Sequence, residues 1–163
     1  MTMLKIYLWA PKQRLIVPKM AETDSGFFVE VEPLSVYECH DIFHWKKHIY
    51  DSLAKGMARV ETPDSALEPG SAILEKLELN SWGEFERQST LFTIHQGACY
   101  TCIYATGAGE DGMWSHAAMT ERKFHSKAPL HVIVDAVASD IIKHPKASKP
   151  LKPPPLLITS RGS

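Results

Sequence analysis

Between Leu74 and Tyr104 the spacing of apolar residues changes from helical to alternating within about ten residues, and this most constrains the fold. The stretch reads LEKLELNSWGEFERQSTLFTIHQGACYTCIY. Leu74 and Leu77 mark a short amphipathic helix that runs into Asn80-Ser81-Trp82. A second short helix then sets Trp82 and Phe85 three residues apart on one face. Strand-forming residues follow from Thr90, Gly97 interrupts them, and a second run continues from Cys99 to Tyr104. A helical pair feeding a strand pair builds a packing surface, and the segment supplies no obvious reacting group.

The flanking sequence extends this α-to-β pattern in both directions. Leu4 to Ala10 and Arg14 to Met20 read as strands around a Pro11-Lys12-Gln13 turn, with Pro18 placing the second at an edge or ending it. Phe27 to Val36 is a third strand, in which Phe27, Val29 and Val31 alternate with Glu30 and Glu32. The spacing of Ile42, Trp45, Ile49 and Leu53 predicts a long helix over His40 to Met57, closed by Gly56. Arg59 to Gly70 carries loop-forming residues, with Pro63, Asp64, Pro69 and Gly70 as breakers. A glycine-rich connection, Gly107 to Gly112, leads to a strand near Met113 to Met119. Pro129 opens a last helix whose stripe is Leu130, Ile133, Val134, Val137, Ala138 and Ile141, and Pro145 stops it.

These elements predict an α+β fold: a mostly antiparallel sheet of five to six strands with a long helix, a short helical pair and a C-terminal amphipathic helix. Its core is expected to include Trp82, Phe85, Ile42, Ile49, Leu53, Ile133, Val137 and Ile141. Residues 1–144 read as one globular domain and 145–163 as an extended, basic, Pro-rich tail.

At 163 residues the chain is long enough for a substantial core, and its 44% apolar content is ordinary for a globular protein. No apolar run approaches the roughly 20 residues that span a bilayer, and Ile6 to Ala10 is too short for a signal-peptide core. Three cysteines do not make a disulfide framework. The expectation is therefore a cytoplasmic protein. Its net charge of −1 is uneven. The last 21 residues hold five basic residues and no acid, which leaves 13 basic against 19 acidic residues in the body, a net −6. Such a body suits a basic protein partner and makes a poor nucleic-acid binder, which needs clustered Lys and Arg.

Reactive side chains form no convincing catalytic pattern. His40, His44 and His48 recur every four residues, but three histidines spread over two turns cannot all reach one ion, and no HExxH glutamate is present. All three are expected to face solvent, opposite Ile42. Cys99-Tyr100-Thr101-Cys102 lies in a β-rich run, where residues three apart point to opposite faces, so buried apolar thiols are expected rather than a redox pair. The glycines between Gly107 and Gly112 lack the Gly-Lys-Ser/Thr ending of a phosphate loop. His131 and Asp135, one turn apart, read as a surface pair. No catalytic residue, metal or cofactor is expected.

Several strings resemble the immunity proteins of bacterial contact-dependent growth inhibition systems. They are Gly26-Phe27-Phe28-Val29-Glu30-Val31-Glu32-Pro33 with Val36, the long helix ending near Ala54-Lys55-Gly56, and Val60-Glu61-Thr62-Pro63. Leu74 to Leu79 leading into Ser81-Trp82 and Phe85 follows, then paired strands and a terminal amphipathic helix. The resemblance spans roughly residues 26–142. It implies a cytoplasmic, non-enzymatic protein that binds and blocks the toxic C-terminal domain of a cell-surface effector, often a nuclease. It assigns no catalytic residue and implies structural roles for Trp82 and Phe85.

Loop acids and an aromatic are the expected partner face: Asp64, Glu68, Glu110, Asp111 and Trp114. A cognate toxin domain is the expected partner, with no nucleic acid and no membrane. Two other classes stand beside this reading. One is a small histidine-using hydrolase or metal-dependent enzyme. The other is an adaptor subunit that docks through its proline-rich tail.

Overall fold

The computed structural model describes residues 2–62 and 70–147. It is an α+β fold of eleven elements in these ranges. Three long strands, β1 (Thr2–Trp9), β2 (Arg14–Thr23) and β3 (Phe28–Glu38), lead to helix α1 (Ile42–Lys55) and a three-residue strand β4 (Ala58–Val60). Two short helices, α2 (Ser71–Leu77) and α3 (Trp82–Gln88), precede β5 (Ser89–Gln96), β6 (Tyr100–Ala108) and β7 (Trp114–His125). Helix α4 (Leu130–Lys143) closes the series. One sheet takes all the strands in the order β3-β2-β1-β5-β6-β7, with β4 beside β2. Every pairing is antiparallel except β2 with β4.

Period-two alternation sends the side chains of β1 to two different cores. Leu4, Ile6 and Leu8 face α1 and α4, where they meet Trp45, Ile49 and Leu53 of α1 and Ile133, Val137 and Ile141 of α4. Tyr7 and Trp9 face the other way, against α2 and α3, through Ile73 and Phe85. Ile6, Tyr7, Leu8 and Trp9 are thus all buried, as expected for a central strand covered on both faces. An ion pair at the surface ties the first helical layer together, Lys46 Nζ lying 2.6 Å from Asp135 Oδ1.

Local chemistry explains why the short helices form where they do. Ser81 Oγ accepts a hydrogen bond from the Glu84 N–H at 3.1 Å, capping α3 in the Ser-x-x-Glu pattern. Gly56 ends α1 at a φ of 79°, in the left-handed region that glycine enters without steric cost. No helix among the described residues is long and apolar enough to cross a membrane.

The structure departs from the sequence expectations at several places. Pro18 neither ends β2 nor marks an edge: it is buried at a register break between Pro18 and Lys19, where an irregular ladder tolerates a missing N–H. Ile42 is exposed rather than core, because the buried stripe of α1 is Trp45, Ile49 and Leu53 and begins one turn later. The strand read near Met113 to Met119 runs on to His125. Arg59 and Val60, expected at the start of a loop, join Ala58 in β4 and bring the sheet to seven strands. The Pro-rich tail beyond Ala147 lies outside the described residues.

Candidate functional site

The β6–β7 turn is an acidic tip mounted on an aromatic platform. Gly109 and Met113 close it with an N–H···O bond of 2.8 Å, and the Met113 N–H donates to Asp111 Oδ1 at 3.0 Å. Such an Asx contact replaces a backbone turn bond. Gly112 takes a φ of 82°, which favours glycine there. These constraints hold Glu110 and Asp111 at the tip, both exposed.

Trp114 anchors the base of that turn. Its backbone N–H donates to Glu86 Oε1 at 3.2 Å and its indole N–H to the Ser89 carbonyl at 3.0 Å. The ring lies 6.1 Å from Tyr7, 5.8 Å from Trp82 and 6.3 Å from Phe85, so four aromatics from β1, α3 and β7 share one cluster. Trp114 is half-buried and supports the acids from beneath rather than standing free beside them. Asp64 and Glu68, the other acids expected on the partner face, lie outside the described residues.

Both signs of charge stand at this corner: Glu86 accepts the Trp114 N–H, and the Arg87 side chain passes beside Gly112 of the turn. The segment from α2 through α3 carries Glu75, Glu78, Glu84 and Glu86 against Lys76 and Arg87. The ion pairs among the described residues sit elsewhere, at Lys5–Glu30, Arg14–Glu38, His44–Asp41, Lys46–Asp135, Lys47–Asp51, Arg59–Glu22 and Arg122–Asp140. Neither Glu110 nor Asp111 takes part in an ion pair among the described residues.

The histidine row does not converge. His40 is exposed before α1, and exposed His44 pairs with Asp41 at 2.6 Å. His48 corrects the expectation that all three face solvent. It is half-buried, and its Nδ1 shares a 2.6 Å hydrogen bond with the Tyr37 hydroxyl of β3. It stands three residues beyond buried Trp45, at the boundary of the buried stripe. Tyr37, Asp41, His44 and His48, without His40, line a shallow open groove of about 600 Å³ along α1. No group of three or more ligating side chains able to hold a metal occurs among the described residues.

The cysteines divide differently from expectation. Cys39 and Cys102 are buried, and burial, reinforced by Glu38, pushes the Cys39 thiol up to about 12. Cys99 is exposed, because it sits in the β5–β6 turn before β6 begins.

Sequence reasoning missed a polar patch on the sheet face that α2 and α3 leave uncovered. Register aligns Lys5, Thr93, Tyr104 and Glu121 across four strands, with His95, Cys102 and Lys123 in the next row. A hydrogen bond with Cys102, then burial, then the Glu121 carboxylate push the Tyr104 hydroxyl up to about 12. Near the same face the Tyr7 hydroxyl donates to Glu30, and burial followed by that carboxylate raises its pKa. Only the alternation of each strand could have signalled this patch, and alternation alone does not say which strands are neighbours.

Two half-buried histidines make the fold sensitive to acid. Burial lowers the pKa of His48, and burial followed by the Lys146 charge lowers that of His144. In the unfolded chain both titrate near 6.5. The unfolded state then binds more protons as pH falls through that value, so stability is complete above it and declines toward the folded pKa values. The urea midpoint is expected to drop between about pH 7 and about pH 5, and His48→Gln to flatten part of that slope. An unchanged slope in the variant would show that His48 is not buried neutral.

No protein-family model matches the chain, and no curated protein does. Among solved structures, a similar chain is a protein of unknown function from Neisseria meningitidis. It is 9% identical, the match covers 85% of this chain and 93% of that one, and the TM-score is 0.46.

Proposed function

We propose that this protein is an immunity protein. It binds and neutralises the C-terminal toxin domain, of the nuclease type, of a contact-dependent growth inhibition effector, and acts in the cytoplasm. The observation that carries this reading is the acidic β6–β7 turn, held rigid by its own hydrogen bonds and by Trp114 on the aromatic cluster. A nuclease presents a basic surface to its phosphate substrate. A fixed pair of carboxylates, with Glu86 of α3 at the base of the turn, complements such a surface and accelerates encounter. Rigidity matters because little conformational entropy is then lost on binding. The protein makes and breaks no covalent bond in this reading; it occludes the toxin's active site or its substrate surface.

Co-expression with the toxin domain of the adjacent effector gene tests this directly. Growth should recover, and the two chains should co-purify as a complex. Continued toxicity with both chains expressed and folded would remove the reading.

A further inference from the structure

The two edges of the sheet are not equivalent. On the outer edge of β3, Pro33 lacks an N–H, Glu32 beside it is exposed, and the ladder to β2 breaks its register at Pro18/Lys19. Such devices prevent edge-to-edge pairing. At the other end β7 carries no proline, and no described strand pairs with its outer side. Its first half is irregular: the pairing jumps from Ala105↔Thr120 to Gly107↔Ser115, so His116 to Met119 bulge out. A side chain on Gly107 would fall on the Ala118 carbonyl oxygen, so only glycine fits beneath that bulge. Thr120 to His125 is the regular remainder, in unbroken register with β6.

We propose that this regular half of β7 pairs antiparallel with β7 of a second copy of the chain, about a two-fold axis at Arg122, making one continuous sheet. Charge selects the occupant and the register. Residues directly opposite one another across such a two-fold lie on the same sheet face. Centring on Arg122 sets Glu121 against the partner's Lys123 and Lys123 against the partner's Glu121. Centring on Glu121 or on Lys123 instead opposes two like charges, which destabilises a strand pair. Within one copy these groups do not pair with each other: Lys123 rests over the Tyr100 ring at 5.3 Å, and Glu121 lies beside Tyr104. Arg122 opposes its own symmetry mate, but each guanidinium is already held 2.6 Å from Asp140 on the helix face, which offsets its charge. The ladder ends short of Glu110 and Asp111, so the inference is independent of toxin binding.

A ladder this short buries less than a standard interface, so the dimer is weak and concentration-dependent. Sedimentation equilibrium on the full chain should show the mass rising from 18.3 kDa toward twice that value as concentration increases. Glu121→Lys alone and Lys123→Glu alone each place like charges opposite twice over, and each should raise the dissociation constant roughly tenfold. The double exchange E121K/K123E restores both pairs and should return association to the parent level. Circular dichroism on each variant separates a lost dimer from a lost fold. The proposal is overturned if the parent stays monomeric throughout, if a folded single variant dimerises like the parent, or if a folded double variant does not recover.

Discussion

Phe85→Ala is expected to cost about 3–5 kcal/mol of stability, a large share of what holds a domain of this size together. Phe85 is fully buried and is the one buried residue of α3. Its ring lies 5.0 Å from Trp82 and 5.4 Å from Tyr7. A seven-residue helix has no stability of its own in water, so tertiary packing through this ring must hold it. Removing the ring leaves a cavity beneath three other aromatics and frees α3, including Glu86, which accepts the Trp114 N–H. Trp114, at the base of the β6–β7 turn, would lose one of its two hydrogen bonds at the same moment. Urea unfolding with near-ultraviolet dichroism checks both effects: a lower midpoint, and a weakened tryptophan signal in the folded baseline. A loss below about 1 kcal/mol would show that α3 is anchored elsewhere.

The parts of this architecture that were legible in the sequence are those where one face is buried and the other wet. The stripe of Ile133, Val137 and Ile141 announced α4, and all three are buried. The change of period between Leu74 and Tyr104 announced α2, α3, β5 and β6 in order. The spacing of Phe85 from Trp82 predicts a core residue, and Phe85 is buried. What stayed hidden has physical causes. The second half of β7 is largely exposed on both faces at the sheet edge, so no alternation marks it and the sequence pattern ends six residues before the strand does. β4 has three residues, too few for any period, and exists because Ala21 to Thr23 leave β1 and offer a free edge. Ile42 fits the helical stripe of α1 but stands at its first residue, before the helix reaches the sheet.

The candidate site was less legible than the fold. Glu110 and Asp111 could be placed on an exposed turn because glycines flank them. That Trp114 would reach back to Tyr7, more than a hundred positions away in sequence, is a property of sheet order. The row of Lys5, Thr93, Tyr104 and Glu121 is likewise set by register across four strands. Spacing from Ile42, taken as the buried direction, puts His48 on the wet face. The stripe through Trp45 and Ile49 places it against Tyr37 instead.

Reversing the acidic tip with Glu110→Lys and Asp111→Lys together should slow association with the cognate toxin domain roughly ten- to a hundredfold at low salt, the range that electrostatic steering spans. The fold should survive. Glu110 is exposed at the tip, and Asp111 contributes one turn hydrogen bond to Met113 whose loss costs about 1 kcal/mol. Dissociation should change much less than association, because exposed rim charges act mainly on encounter. Salt should also act differently on the two proteins. Raising ionic strength slows the parent by screening an attraction, whereas in the variant it has less attraction left to screen. Stopped-flow association rates across an ionic-strength series read both effects at once. The milder Glu110→Gln, which leaves the Asp111 bond intact, should fall between parent and double variant. Equal rates and equal salt slopes for all three proteins would move the binding face away from this turn, while leaving the rescue of growth to decide whether the protein is an immunity protein at all.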